Sequence, residues 1–322
     1  MTERLDEIII GRGRGGRVAR GTRGSREGVT RGGRGGYGAR ERSRFSSYEG
    51  HRSTTPINIL KQVNPNGTPQ LLAKGVLHIS KDITSPIGII VLHNKNFVIS
   101  NPVDNDVALF NPDGKLLSRI KSVRPFKRPT DMATLSTGEF VVRDDVGLQL
   151  FGQNGEFIKA LGGNMIDQCF GVSEDEEGRI LTINCNKHKG IGGITHPGET
   201  DIFFICPKSG AVVKRIILTD IVSNKLKSKC RFLNYRHHNI YIVDLGLDKI
   251  YKLTVRGSPE ASIIGKTGSG LGELKGPTGL VVDLYGNIIV ADSLNHRLQI
   301  FNNIGNYVGH VKMDVTVHRP SG

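Results

Sequence analysis

The 322-residue sequence has no tryptophan, only four methionines and only four cysteines. Cys169, Cys185, Cys206 and Cys230 lie 16, 21 and 24 residues apart without a C-x-x-C pair, a spacing that suits neither a disulfide framework nor a zinc finger. They read as reduced, buried thiols. No stretch approaches the roughly 18 apolar residues that cross a bilayer, and Ile8, Ile9 and Ile10 are too short a core for a signal peptide. The expected setting is soluble and cytoplasmic, with no membrane partner. Neither a nucleophile elbow G-x-S-x-G nor a phosphate loop occurs, since Gly265-Lys266-Thr267-Gly268 has the residues of the latter at the wrong spacing.

Glycine and positive charge are in excess, with 42 Gly and a formal net charge of +14. Residues 1–53 hold 13 Arg, no Lys, six acidic residues and 13 Gly, so half of the net charge sits in a sixth of the chain. From Gly11 to Gly38 almost nothing apolar is available to offset the entropy of ordering, and the segment is expected to be a disordered Arg/Gly-rich arm. The guanidinium forks of Arg12, Arg14, Arg17, Arg31 and Arg34, with the ring of Tyr37, suit phosphate and base contacts and form a candidate RNA-binding arm. A solvated linker that touches polyanions only weakly accounts for the same composition.

Beyond residue 54 the sequence repeats. Blade-like starts at Pro86, Pro129, Cys169, Cys230, Pro277 and Pro320 are spaced 43, 40, 61, 47 and 43 residues, the long interval containing an insertion near Asn186–Thr200. Each unit has short β-rich strands joined by turn residues, as in Ile288–Ala291, Arg297–Phe301 and the turn Asn302–Asn306. In three of the units the turn after the second strand and the end of the third are nine positions apart: Asn101 to Phe110, Asp244 to Leu253 and Asp292 to Phe301. Strands of four to six residues with a period just above 40 point to four-stranded blades in a ring. A helical solenoid would need apolar residues at three and four, which are missing.

The segment GPTGLVVDLYGNIIVADSLNHRLQIFNNIGNYV, 276–308, resembles an NHL repeat, and residues from about 80 to 322 resemble the NHL propeller of the tripartite-motif proteins. Residues 124–151 and 241–253 are most similar to the branch containing the muscle ligase called thin. The resemblance implies an all-β, six-bladed propeller over 54–322 that recognises protein partners, in a family where a separate RING finger ligates ubiquitin. Some members of the wider NHL family are RNA-binding repressors. A RING finger needs eight Cys or His ligands in paired spacings, which this chain does not have, so the propeller itself is expected not to be an enzyme. Arg319-Pro320-Ser321-Gly322 reads as the opening of an incomplete last blade, with closing strands expected within 57–77, and the sequence reads as part of a longer protein.

Equivalent blade starts converge on one face of a propeller. Here they are Ser85, Arg128, Gln168, Lys229, Gly276 and Arg319, with Lys121, Arg124, Lys127, Lys225, Lys227, Lys275 and Lys312 in the preceding connections. This predicts a basic rim for an acidic protein segment or ubiquitination substrate, or alternatively for single-stranded RNA. Ordinary solvated loop charges give the same pattern. Phe126, Phe170 and Phe232 are either core residues or base-stacking platforms. His188, His196, Glu199 and Asp201 fall in a Gly-rich insertion and His237-His238 in a turn, so no metal site and no cofactor are assigned. Asp144, Asp244 and Asp292 read as structural turn acceptors.

Overall fold

The computed structural model describes residues 6–9, 59–63, 69–73, 83–166, 168–189, 195–218, 228–256, 260–313 and 317–321. The chain divides into two units, residues 1–12 with 54–322, and residues 13–53. The second unit lies outside the described residues, as does Arg12, and with them the whole candidate RNA-binding arm of Arg14, Arg17, Arg31, Arg34 and Tyr37.

Five four-stranded antiparallel sheets follow one another along the chain. The first blade is Ile89–Val91, Phe97–Asn101, Asp106–Phe110 and Leu116–Arg119. The second is Met132–Thr134, Phe140–Asp144, Gly147–Phe151 and Phe157–Leu161. Cys169–Glu174, Ile180–Lys189, Thr195–Ile205 and Val212–Ile217 form the third. The fourth is Cys230–Arg236, Asn239–Asp244, Lys249–Thr254 and Glu260–Ile264. Pro277–Val282, Ile288–Asp292, Arg297–Phe301 and Tyr307–His310 form the fifth. Each first strand touches the first strand of the next blade, so these inner strands gather around an axis and the sheets radiate from it as a β-propeller.

The sequence produces this arrangement through burial on both sides. Every residue of Phe97–Asn101 and of Phe140–Asp144 is buried; Phe140–Asp144 lies between blades one and three, and Phe97–Asn101 packs on blade two with one face and around Ile83 with the other. Outer strands alternate, as in Phe157–Leu161. The third strands of blades one, two and five end in Phe110, Phe151 and Phe301, each 1% exposed or less, and burying such a ring contributes about 2–3 kcal/mol. Turns follow from Asn, Asp and Gly: Asn302 Oδ1 accepts the Asn306 N–H, and Gly305 takes a left-handed φ of 92° to close the same turn. Inner-strand glycines meet a different demand. A Cβ on Gly88 would lie 2.3 Å from the Thr130 carbonyl oxygen of the next blade.

Three expectations are corrected. Among the described residues there are five blades, where six with an incomplete last one were expected. At the sixth position Ile59–Val63, Pro69–Ala73 and Lys312–Met313 form a three-stranded sheet, while residues 317–321 take up a blade-start posture without forming a strand. The insertion is not a loop throughout: the second and third strands of blade three extend as a hairpin that stays paired out to Lys189 opposite Thr195. Asp6–Ile9, which the sequence assigns to the arm, runs parallel to Val212–Ile217. Among the described residues no inner strand stands at the sixth position; Ile89 and Val91 of the first blade are exposed, and a 540 Å³ apolar groove is lined by Phe97, Ile99 and Ser321.

Candidate functional site: a lysine row and the channel mouth

Buried carboxylates and amides fix the backbone on one end of the propeller. Lys127 donates its backbone N–H to Asp144 Oδ2 at 3.0 Å, Lys229 to Asp244 Oδ1 at 2.7 Å, and Lys275 to Asp292 Oδ1 at 2.7 Å. In the first blade Ser85 makes the same bond to Asn101 Oδ1 at 3.0 Å. The carbonyls of Lys127 and Lys229 in turn accept the N–H of the residue just after each Asp. The backbone is therefore tied at one step of blades one, two, four and five, while the three lysine side chains remain exposed.

A second series lies one residue further on. Arg128, Gly276 and Arg319 have φ of 51°, 53° and 48°, and their N–H groups go to Asn105 Oδ1, Asp248 Oδ1 and His296 Nδ1 of the preceding blade. The sequence alignment of Arg128 with Lys229 is thus out by one: the true equivalents of Lys229 are Lys127 and Lys275. Arg128 and Arg319 are exposed on the adjacent step, the Arg128 guanidinium standing 3.8 Å from Asp145.

The other predicted rim residues fall elsewhere. The Arg124 guanidinium forks onto Asp144 at 2.5 and 2.8 Å and serves the fold. Burial pushes the Asp144 carboxyl up, but Arg124 and the N–H groups of Lys127 and Val146 outweigh it and hold the carboxyl below its ordinary range. Lys312 is exposed in the sheet at the sixth position, paired with Leu72. Lys225 and Lys227 lie outside the described residues. Of the candidate stacking rings, Phe126 is buried against Phe151, and Phe232 packs against the core while reaching the channel.

Sequence reasoning did not assemble the pocket inside this face. A 390 Å³ cavity at the channel mouth is lined by the residue that follows each Pro or Cys start, namely Ile87, Thr130, Phe170, Arg231 and Thr278. Arg143, nearly fully buried, donates to the Cys169 carbonyl at 2.8 Å, to Thr130 Oγ1 at 2.7 Å and to Asp145 at 3.3 Å. Its guanidinium carbon lies 4.8 Å from the Phe170 ring centre, and that of Arg231 lies 3.7 Å away. Asp131 also lines the cavity, where burial raises its pKa to about 6 against the opposing pull of Arg143 and of the Met132 and Val172 N–H groups. The repeated column after each Pro or Cys was the available signal.

Residues 274–301 match the NHL repeat. They cover the first three strands of the fifth blade. Over 44 residues the chain is 54% identical to Protein lin-41 of Caenorhabditis elegans, a match that spans 14% of this chain and 4% of that protein. Among solved structures, a chain of the nidogen/laminin complex is similar with a TM-score of 0.59 at 14% identity, over 80% of this chain and 91% of that one. Virginiamycin B lyase from Staphylococcus aureus gives 0.53 at 13% identity, over 76% and 90%. A protein described as a putative gluconolactonase gives 0.53 at 16% identity, over 74% and 81%. At these identities the likeness is one of fold alone.

Proposed function

We propose that this propeller is a non-catalytic protein-recognition module, the substrate-binding NHL propeller of a tripartite-motif, ubiquitin-ligase-type protein, and that its lysine row draws in an acidic protein segment. The observation that carries the reading is the repetition of Lys127, Lys229 and Lys275 on one hydrogen-bonded step. Exposed charges scattered on loops average out, whereas charges of one sign at equivalent steps add to a single field at one face. The NHL match in the fifth blade and the local identity to Protein lin-41 support the family assignment. The role assigned is capture, since the paired Cys and His ligands of a RING finger are not among these residues.

Single-stranded RNA meets the same charges, but it gains most from aromatic faces, and Phe126 is buried while Phe170 is packed beside two guanidinium groups. The test is the triple variant Lys127→Glu, Lys229→Glu, Lys275→Glu in the full chain. Binding of a hexaglutamate peptide is expected to fall, chiefly through a slower association rate with a flatter salt dependence. Unchanged association at low salt would overturn the reading.

A further inference from the structure

We propose that the cavity at the channel mouth is a carboxylate pocket, in which Arg231 takes an Asp or Glu side chain, or a terminal carboxylate, of the segment that the lysine row attracts. This rests on the protein-recognition reading and names the chemistry of its anchor point.

Charge pairing within the cavity singles out Arg231. Asp145 lies 3.3 Å from Arg143 and 3.8 Å from Arg128, so it is shared between two guanidinium groups. Asp131 is opposed by Arg143. Arg231 has no carboxylate within 4.0 Å among the described residues; its polar partners are the Cys230 carbonyl at 2.9 Å and the Cys185 thiol, which burial holds in its neutral form. A guanidinium opposite neutral groups in a partly desolvated cavity retains an uncompensated charge and open donors, and a carboxylate matches its planar fork.

Preorganisation and selectivity follow from the same residues. Stacking at 3.7 Å on Phe170 fixes the plane of the Arg231 fork before any ligand arrives. Asp131 and Asp145 line the same 390 Å³ space, so a singly charged carboxylate is tolerated where a phosphate dianion meets stronger repulsion. The Phe170 face beside Arg231 is taken, which leaves little for a nucleobase to stack on. Arg128, exposed and next in sequence to Lys127, lines the same cavity as Arg231.

The experiment uses the full chain at about 0.3 M salt, where exposed charge pairs are strongly screened and an enclosed one is screened less. Fluorescein-labelled hexaglutamate, as free acid and as C-terminal amide, is titrated by anisotropy alongside a labelled oligouridylate. Arg231→Gln is expected to weaken hexaglutamate about ten- to hundredfold and to leave the oligouridylate unchanged. Equal affinities of acid and amide would assign the side-chain carboxylate, and tighter binding of the free acid the terminal one; both support the pocket. Because the chain has no tryptophan, Phe170→Trp is a single reporter inside the cavity, and its emission should shift on saturation with hexaglutamate whether or not Arg231→Gln folds well. Wild-type affinity in Arg231→Gln, with binding lost in the triple lysine variant, would overturn the pocket and leave the acidic-segment reading standing. Loss in neither variant would overturn both. Equal weakening of oligouridylate and hexaglutamate would overturn the carboxylate assignment, as would an unresponsive Trp at position 170.

Discussion

His296 Nδ1 accepts the backbone N–H of Arg319 at 3.1 Å, the same bond that Asn105 Oδ1 makes to Arg128 at 2.8 Å and Asp248 Oδ1 to Gly276 at 2.7 Å. All six residues have φ between 48° and 55°. Left-handed backbone costs a non-glycine residue about 1 kcal/mol, so the Asn105–Arg128 and His296–Arg319 pairs spend strain on both sides of a blade junction to make one bond across it, and the Asp248–Gly276 pair on one side only. The bond acts as a latch that sets where the next inner strand begins, and it recurs where residues 317–321 start the sixth position.

Two substitutions separate the strain from the bond. Asn105→Ala removes the acceptor and places a residue less tolerant of left-handed φ there, so it is expected to destabilise by about 1–2 kcal/mol. Arg128→Gly keeps the N–H and relieves the strain, matching the residue at the Gly276 latch, and should be neutral or stabilising by up to about 1 kcal/mol. Urea unfolding of each variant checks both signs; destabilisation by Arg128→Gly would mean that its side chain contributes more than its backbone posture costs.

Glycine in the inner strands makes a prediction about sterics alone. Gly88→Ala puts a methyl 2.3 Å from the Thr130 carbonyl oxygen, a backbone atom that moves only if the second blade shifts. A loss of about 1–3 kcal/mol is expected, as for other overpacked interiors. Gly309→Ala is the control: its Cβ meets nothing within 4 Å and its φ is not in the left-handed region, so stability should hold or rise. Equal melting temperatures for the two variants would contradict the close approach of blades one and two.

These glycines show how much of the fold was legible. Pro86, Cys169 and Pro277 each stand two residues before a Gly at the beginning of an inner strand, a pattern that a repeat search finds without knowing why, and three of the five blade starts follow from it. The channel residues were harder to read. Inner strands begin with a register shift, between Phe170 and Ser173, Cys230 and Phe232, and Pro277 and Gly279, so two-residue alternation gives no direction at Phe170 or Arg231. The lysine row was misaligned because Pro129 and Pro277 follow an additional left-handed residue that Cys230 does not, and alignment on the Pro or Cys column hides it. Arg124 was read as a rim charge because its partner lies 20 residues away, across the inner strand. Six starts suggested six blades with the last incomplete, and the sixth start is a backbone posture fixed by one latch, with no strand in residues 317–321.

The Arg124 fork on Asp144 predicts an acid limb of stability. The Asp144 carboxyl is held below its unfolded value of 3.8, so its contribution is present above that value and is lost as pH falls through the lower folded one. Asp144→Asn is expected to cost about 3 kcal/mol near neutrality by leaving Arg124 and the three N–H donors of Lys127, Val146 and Gly147 poorly matched, and to flatten the loss of stability below about pH 4. Unfolding curves from pH 2.5 to 7 measure both effects; an unchanged acid limb would place that dependence on other carboxylates.

Asp131 predicts the opposite slope at the channel mouth. Burial raises its pKa from 3.8 to about 6, so the fold favours its protonated form. The sign then follows from linkage: the contribution is complete below the unfolded value and is lost as pH rises from about 4 through about 6. The charged groups that share its cavity are Arg143, Arg128, Arg231 and Asp145, and the Met132 N–H bonds to its Oδ1 at 3.0 Å. Asp131→Asn keeps an acceptor for Met132 but cannot ionise, so it should match the wild type near pH 4 and be the more stable of the two at pH 7.5. The same substitution removes a negative charge that opposes ligand carboxylates, so hexaglutamate should bind it more tightly at pH 7.5 and with less dependence on pH between 5 and 7. Titrating stability and affinity side by side checks this, because one proton at one side chain has to account for both curves; a stability slope abolished by Asp131→Asn with an unaltered binding profile would place Asp131 outside the reach of the bound peptide.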